Sequence, residues 1–396
     1  MNSNSPVSFE DTAVAFSYKS NSALKKAHFI FSFISNPWIS ALAIQIVKFS
    51  LKIKLPIKGI IRRTIFFHFC GGENISDSEK TIQQLGGYNV NTILDYSVEG
   101  ENSEEGFDFT MNEIIRTIQK ANTSSHIPFS VFKVTGLSDT NLLEKIQSKD
   151  PLSDSELLAW QRVKMRVEKI CQKAFDNNVG VLIDAEETWI QNSIDLLAYE
   201  MMAKYNREKI IIYNTFQFYR IEALSHLQNT LLKATEQNFR IGAKLARGAY
   251  MEKERDRATA LGYESPIQPT KEATDHAFNQ ALLFCLENIN RISIMCGSHN
   301  EYSNLLLTDL MRKYKLQPND KRIWFAQLYG MGDHISFNLA KAGYCVAKYV
   351  PYGPVKSVMP YLFRRAEENT SVAGQSNREL TLIKKELQRR KLQLFI

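Results

Sequence analysis

The sequence predicts an α/β fold, a (β/α)8 TIM-like barrel with an N-terminal helical arm. Three observations carry this reading. Short β-rich runs recur from about residue 90, the runs are apolar almost throughout, and longer stretches with apolar residues at three-to-four spacing separate them. Alternating strand and helix signals indicate a parallel sheet, and near-continuous apolar strands are those buried on both faces. In order, the runs are "VNTILDY" from Val90, "IPFSVFKV" from Ile127, "VGVLID" from Val179, "KIIIYNT" from Lys209, "RIGAKLA" from Arg240, "RISIMC" from Arg291, "RIWFAQL" from Arg322 and "YCVAKYV" from Tyr344. Stretches such as "DSELLAWQRVKMRVEKICQKAFDN" and "TDHAFNQALLFCLEN" read as the helices between them. Eight such units over roughly 250–300 residues match a closed barrel, with an open doubly wound sheet as the competing arrangement. The boundaries expected are a basic helical arm over 1–85, the barrel over 86–370 and a helical tail over 371–396.

In a barrel of this kind, chemistry sits at the C-terminal ends of the strands. The second run delivers Lys133. The third ends in "IDAEE", with Asp184 followed by Glu186 and Glu187. The fourth ends at Asn214, and the fifth leads into "KLARGAY" with Lys244 and Arg247. The sixth ends in "CGSHN" with His299, the seventh gives Gln327 and "YGMGD", and the eighth ends in "AKYVPYG" with Tyr349. The next helix reads "PYLFRRAEEN", so Tyr361, Arg364, Arg365 and Glu368 share one stripe at i, i+3, i+4 and i+7.

Taken singly, each residue has an ordinary explanation. Lys133 could be a snorkelling lysine, Asp184 a helix N-cap and His299 a cap. Asn214 and Gln327 could satisfy loop backbone, and the arginine–glutamate stripe could be a solvated helix face worth ~0.3–0.5 kcal/mol per pair. Their shared position at strand ends is what argues for a site. Several cations around one mouth imply an anionic ligand, because adjacent arginines grip a carboxylate or phosphate through fork-shaped, charge-assisted bonds. Asp184 and Glu368 are natural partners for those cations, and Tyr349 and Tyr361 offer apolar rings with polar tips as pocket walls.

Composition narrows the class. The 396 residues are 44% hydrophobic and 23% charged, an ordinary globular balance, and a core of that size needs no disulfide or metal. Five scattered cysteines without a CxxC pair point to a reducing compartment. Seven histidines lack ligand spacing, so no metal site is expected. Of the net charge of +7, the stretch from Thr12 to Gly72 holds nine lysines and arginines and no acid, leaving −2 for the rest. A basic excess confined to one apolar-rich arm argues against nucleic-acid binding. Within that arm, Phe29 to Val47 is uncharged and long enough to span a bilayer. Asn36, Pro37, Gln45 and several serines interrupt it, so a buried core helix is the first reading. A membrane-surface helix, favoured by "KFSLKIKLPIKGIIRR", is the second. Glu10 and Asp11 without early arginines fit neither a signal nor a transit peptide.

The segments "KLARGAYMEKERDRA" and "YVPYGPVKSVMPYLFRRAEEN" resemble two signature regions of the proline dehydrogenase family. "ILDYSVEG", "FKVTGL", "LIDAEE", "NTFQFY", "GSHN" and "FAQLYGMGD" resemble its other strand-end motifs, in the same order, over about Gly86 to Asn369. The resemblance implies a barrel that holds FAD, oxidises L-proline to Δ1-pyrroline-5-carboxylate and passes electrons to a membrane quinone. No GxGxxG fingerprint stands in the chain, so the flavin rests on the resemblance. Carried over residue by residue, it implies that Arg364, Arg365 and Lys133 bind the substrate carboxylate, while Tyr361 and Tyr349 close around the ring with Leu328 beside them. Asp184 would order the cations, which makes Lys133, Asp184 and Tyr349 the expected catalytic set. Lys244 would approach the reactive flavin nitrogen, and Asn214, Arg247, Gly248, Ala249, His299, Gln327 and Glu368 would contact the rest of the cofactor. Two departures stand out: Met251 follows "GAY" where many bacterial members have tryptophan, and "ARGAY" replaces the commoner "VKGAY". The expected location is cytoplasmic, at the inner-membrane face, with the basic arm keeping the enzyme near its quinone. The alternatives are a 4-hydroxyproline dehydrogenase of the same family, a colourless phosphate-binding aldolase with Lys133 as Schiff base, and a non-catalytic membrane-binding scaffold.

Overall fold

The structure, a computed structural model, describes residues 7–36, 38, 42, 44–47, 53, 58–98, 102–371 and 375–393, with side chains at 58, 366–376 and 392–393 outside that description. Eight parallel strands close into a barrel in sequence order: β1 Val90–Tyr96, β2 Phe129–Phe132, β3 Gly180–Ile183, β4 Ile212–Gln217, β5 Ile241–Ala246, β6 Ile292–Gly297, β7 Ile323–Leu328 and β8 Val346–Tyr352. Neighbours keep consecutive register, for example Asn214 opposite Ala243 and Ile93 opposite Tyr349. The expected barrel is thus the observed one, and its strands are buried along nearly their whole length, as apolar runs without alternation require.

Two strands are shorter than their apolar runs, for local reasons. Pro128 cannot donate to a ladder, and after Phe132 the chain turns at Lys133 into a short 3-10 segment, Val134–Gly136. The fourth run opens three residues early because Asn206 substitutes for a strand neighbour. Its Oδ1 accepts from the amides of Ile211 and Ile212, at 2.9 Å each, and its Nδ2 donates to the Ile212 carbonyl.

The chain forms two compact units: Met1–Glu99 with Gln327–Ile396, and Gly100–Ala326. In the first, Ser20 caps the helix Asn21–Ile34. The apolar residues Leu24, Ala27, Phe31 and Ile34 recur at helical spacing and enter one buried cluster with Phe66, Phe69, Val358, Tyr361, Leu362, Leu382 and Ile383. The early helix therefore packs with the helices Met359–Ser371 and Gln375–Gln393. Truncating Phe31 to alanine would remove about 3–5 kcal/mol from that core.

The uncharged stretch is split. Ile30, Phe31 and Ile34 are core, whereas Phe29, Trp38, Leu42 and Ile46 are exposed, Trp38 at 88%. Pro37, residues 39–41 and residue 43 lie outside the described residues. Among the described residues, no helix is long and apolar enough to cross a membrane. In the second unit, Ser153 and Glu156 close a capping box on the helix Asp154–Asp176. That helix buries Arg166 against Asp108 and Glu104.

Candidate active site

The second unit carries a bridge of three charged side chains at the ends of β2, β3 and β5. Lys133, in extended conformation directly after β2, places Nζ 2.8 Å from Asp184 Oδ2. Lys244, near the end of β5, places Nζ 2.5 Å from Asp184 Oδ1. The backbone fixes the carboxylate, since the Asp184 amide donates to the Phe132 carbonyl at 2.9 Å. Burial alone would raise the Asp184 carboxyl, but the two ammonium groups outweigh it and hold the group at about 2. One carboxylate cannot neutralise two lysines, so this trio keeps a net positive charge. Glu186, two residues on, does not fully cancel it at neutral pH. Burial pushes its carboxyl up to about 7, although the Thr135 amide at 3.0 Å and the Thr135 hydroxyl donate to it.

Further along the second unit, Arg247 is held on three sides. Its Nε lies 2.6 Å from Asp275 Oδ1, its two terminal nitrogens reach Ser298 Oγ and Ser303 Oγ at 2.7 and 2.9 Å, and its guanidinium lies over the Phe278 ring at 4.3 Å. Gly248 follows at φ +130°, where a Cβ would sit 2.4 Å from the Tyr219 ring, so only glycine continues the chain here. Gly248 and Ala249 are exposed, and His299 is half-buried just past β6. Asn214 is fully buried in β4. Its Nδ2 donates to Asp195 Oδ1 at 2.8 Å, which fixes the amide orientation, and its Oδ1 has no partner among the described residues. Asp195 also accepts from Gln191 at 2.8 Å and faces His226 at 3.1 Å.

In the first unit, Gln327 is buried in β7 and accepts from Ser336 Oγ at 2.7 Å, with half-buried Leu328 next to it. Tyr349 is buried in β8. On the helix Met359–Ser371, the Arg365 guanidinium lies 5.2 Å from the Tyr361 ring centroid, a cation–π contact between residues one turn apart. Both are nearly buried and Arg364 is half-buried. The side chain of Glu368 lies outside the described residues.

The residues expected from the sequence thus divide. Lys133, Asp184, Asn214, Lys244, Arg247, Gly248, Ala249 and His299 belong to the second unit, and the structure joins the first, second and fourth of these directly. Gln327, Leu328, Tyr349, Tyr361, Arg364 and Arg365 belong to the first. Sequence reasoning missed Asp195 and Asp275, the carboxylates that orient Asn214 and Arg247. Asp195 left a signal: an aspartate four residues after Gln191 in an otherwise apolar helix face needs a buried partner. An orphaned amide oxygen at Asn214, a glycine with an exposed backbone at Gly248 and nearby cations suit a large, polar, negatively charged cofactor such as a flavin dinucleotide.

A parallel (β/α)8 barrel with an electropositive, carboxylate-ordered set of strand-end residues defines an enzyme of the barrel class. The family model for proline dehydrogenase matches residues 78–378. "Proline dehydrogenase 1, mitochondrial" of Dictyostelium discoideum is 36% identical over 384 residues, covering 86% of this chain and 67% of that protein. The "Carbapenem antibiotics biosynthesis protein CarD" of Pectobacterium carotovorum subsp. carotovorum is 34% identical, covering 81% of this chain and 83% of its own. Among solved structures, proline utilization A (PutA) from Bdellovibrio bacteriovorus, inactivated by N-propargylglycine, superposes with a TM-score of 0.71 at 18% identity, over 91% of this chain and 38% of that one. This chain belongs to the proline dehydrogenase family.

Proposed function

We propose that the chain is a flavin-dependent oxidoreductase that converts L-proline to Δ1-pyrroline-5-carboxylate, the first step of proline catabolism. The observation that carries the substrate reading is the pair on one helix, Arg365 lying over Tyr361 at 5.2 Å. It supports a reading in which a carboxylate-binding fork stands one turn from a buried aromatic ring, an arrangement that suits a small cyclic amino acid. Arg364 and Arg365 take the carboxylate, a role the family resemblance extends to Lys133. Tyr361, Tyr349 and Leu328 flank the ring carbons, and fixing the substrate in one pose removes most of the orientational barrier. Asp184 holds Lys133 and Lys244 in place. Lys244, Arg247, Asn214, Gly248, Ala249, His299, Gln327 and Glu368 hold FAD. When bound, the flavin accepts the two electrons that leave the substrate C–N unit.

The acceptor in this proposal is a membrane quinone. Support comes from the exposed Phe29, Trp38, Leu42 and Ile46 in the basic segment, apolar side chains among cations, which suit peripheral contact with an anionic bilayer at the cytoplasmic face of the inner membrane. The test of the function is kcat/KM for L-proline and for trans-4-hydroxyproline, with an artificial acceptor, in the native protein and in Tyr361→Ser. A full tyrosine over the ring strips water from a 4-hydroxyl without offering a partner, at ~1–3 kcal/mol. Proline should therefore be preferred at least tenfold, and the serine variant should narrow the ratio. Equal efficiency in the native protein would replace this assignment with 4-hydroxyproline oxidation.

A further inference from the structure

The loop that follows β7, from Leu328 to Asp333, is gripped from four directions within the first unit. From β8, fully buried Lys348 donates to the Met331 carbonyl at 2.5 Å and the Leu328 carbonyl at 3.3 Å, and pairs with Asp333 Oδ1 at 2.9 Å. From the N-terminal side, Tyr18 Oη donates to Asp333 Oδ2 at 2.8 Å and Lys19 Nζ reaches the same oxygen at 2.6 Å. From the helix Gln375–Gln393, Glu379 Oε1 accepts from the Gly332 amide. The fourth grip is steric: Gly330 sits at φ +82°, and a Cβ there would come within 2.3 Å of the His68 carbonyl oxygen.

The two outlying grips brace each other. Arg390, on the same helix as Glu379, donates to the carbonyls of Phe16 and Lys19 and to Asn21 Oδ1, each at 2.8 Å. Tyr18 stacks on Phe337 at 4.4 Å, on the helix that Asp333 opens. Two lysines and two carboxylates, all nearly buried, thus converge on six residues of backbone. Isolated buried charges are destabilising unless they are mutually paired, so removing one member leaves its partners seeking new ones. The loop lies inside the stretch matched by the proline dehydrogenase family model, 78–378, whereas Tyr18, Lys19, Glu379 and Arg390 all lie outside it.

We propose that Lys19 and Glu379 are positioning residues for Leu328. They clamp the loop that continues from it, so the segments before and after the family region set the geometry of the substrate pocket. The proposal rests on the proline-oxidation reading, in which Leu328 flanks the ring. The test uses the flavin-loaded protein and four variants: Lys19→Met, Lys19→Arg, Glu379→Leu and Glu379→Gln. Hydrogen–deuterium exchange of the peptide spanning 328–333 is followed together with kcat and KM for L-proline. Lys19→Met and Glu379→Leu should speed exchange in that peptide at least tenfold, with other barrel peptides unchanged. They should raise KM about tenfold at constant flavin content. Lys19→Arg keeps the charge and Glu379→Gln keeps the acceptor, so both should restore native values.

A fall in thermal midpoint with uniformly faster exchange and an unchanged KM would overturn the proposal, leaving a purely structural role. So would failure of the conservative variants to rescue. If Lys19→Met does not fold, Glu379→Leu decides alone, since it removes the acceptor of the Gly332 amide from the other side of the loop. Native protein without proline turnover would defeat the functional reading, and the exchange data would then decide the clamp separately.

Discussion

The Lys244 ammonium lies 2.5 Å from Asp184 Oδ1, closer than the 2.8 Å that separates Lys133 from the other oxygen of the same carboxylate. The three side chains come from three strands, so Asp184 ties the ends of β2, β3 and β5 by charge. Replacing it with asparagine leaves two ammonium groups facing each other without a counter-charge, at about 3 kcal/mol of stability. Asp184→Asn should also lose at least a hundredfold in kcat/KM. The folded carboxyl sits at about 2, below its ordinary value of 3.8. Its stabilisation is therefore complete above pH 4 and disappears as pH falls through 2. Urea unfolding of both proteins should show a gap that is present at pH 4–5 and closes as pH falls through 2. A gap that persists at pH 2 would show that the Asp184 carboxylate does not carry it.

Glu186 behaves in the opposite sense. Burial raises its carboxyl from 4.5 to about 7 in the folded protein. A raised acid binds its proton more tightly when folded, so its contribution is present below pH 4.5 and is lost as pH rises through 7. Native stability should fall across that window by on the order of 3 kcal/mol. Glu186→Gln, which mimics the protonated form, should remove the decline. Parallel pH profiles for the two proteins would show that Glu186 ionises normally.

Arg364→Met and Arg365→Met should each raise KM for L-proline steeply while leaving flavin content nearly unchanged. Losing one charged hydrogen-bonding partner of a desolvated carboxylate costs ~2–5 kcal/mol, which is a change of about twenty-five-fold or more at ~1.4 kcal/mol per decade. Steady-state kinetics with an artificial acceptor measure it. A native KM in both variants would place the carboxylate clamp elsewhere.

The barrel was legible in the sequence because strand burial on both faces writes continuous apolar runs, and the strand-end lysines and acids interrupt them. Lys133, Asp184 and Lys244 could be placed as strand-end neighbours for that reason, and Asp184 could be read as a partner for Lys133. That the same carboxylate also takes Lys244 could not be, because it depends on how far each side chain reaches across adjacent strands. Of the carboxylates behind the site, Asp275 lies on a helix where its spacing looks like any polar position, whereas Asp195 interrupts an apolar helix face and could have been suspected. The basic segment was legible only in part. Its composition suits both a core helix and a surface helix, and the fold uses Ile30, Phe31 and Ile34 for the first while leaving Phe29, Trp38 and Leu42 exposed.

That division decides how membrane contact should be tested. Removing the segment as a block would take Ile30, Phe31, Ile34 and Ile61 out of the core. The surface substitutions Trp38→Ser with Leu42→Ser leave the core intact and remove only exposed apolar area. They should weaken flotation with anionic liposomes severalfold and leave turnover with a soluble acceptor unchanged. Unaltered flotation would mean these side chains do not contact lipid.

Flavin-dependent proline oxidation is tested most directly by the visible absorption spectrum of the purified protein, recorded anaerobically before and after adding L-proline. A bound flavin gives an oxidised band that proline should bleach within the mixing time of a turnover, and that trans-4-hydroxyproline should bleach at least tenfold more slowly. A colourless protein that also fails to take up added FAD, or a flavin spectrum indifferent to proline, would contradict the assignment.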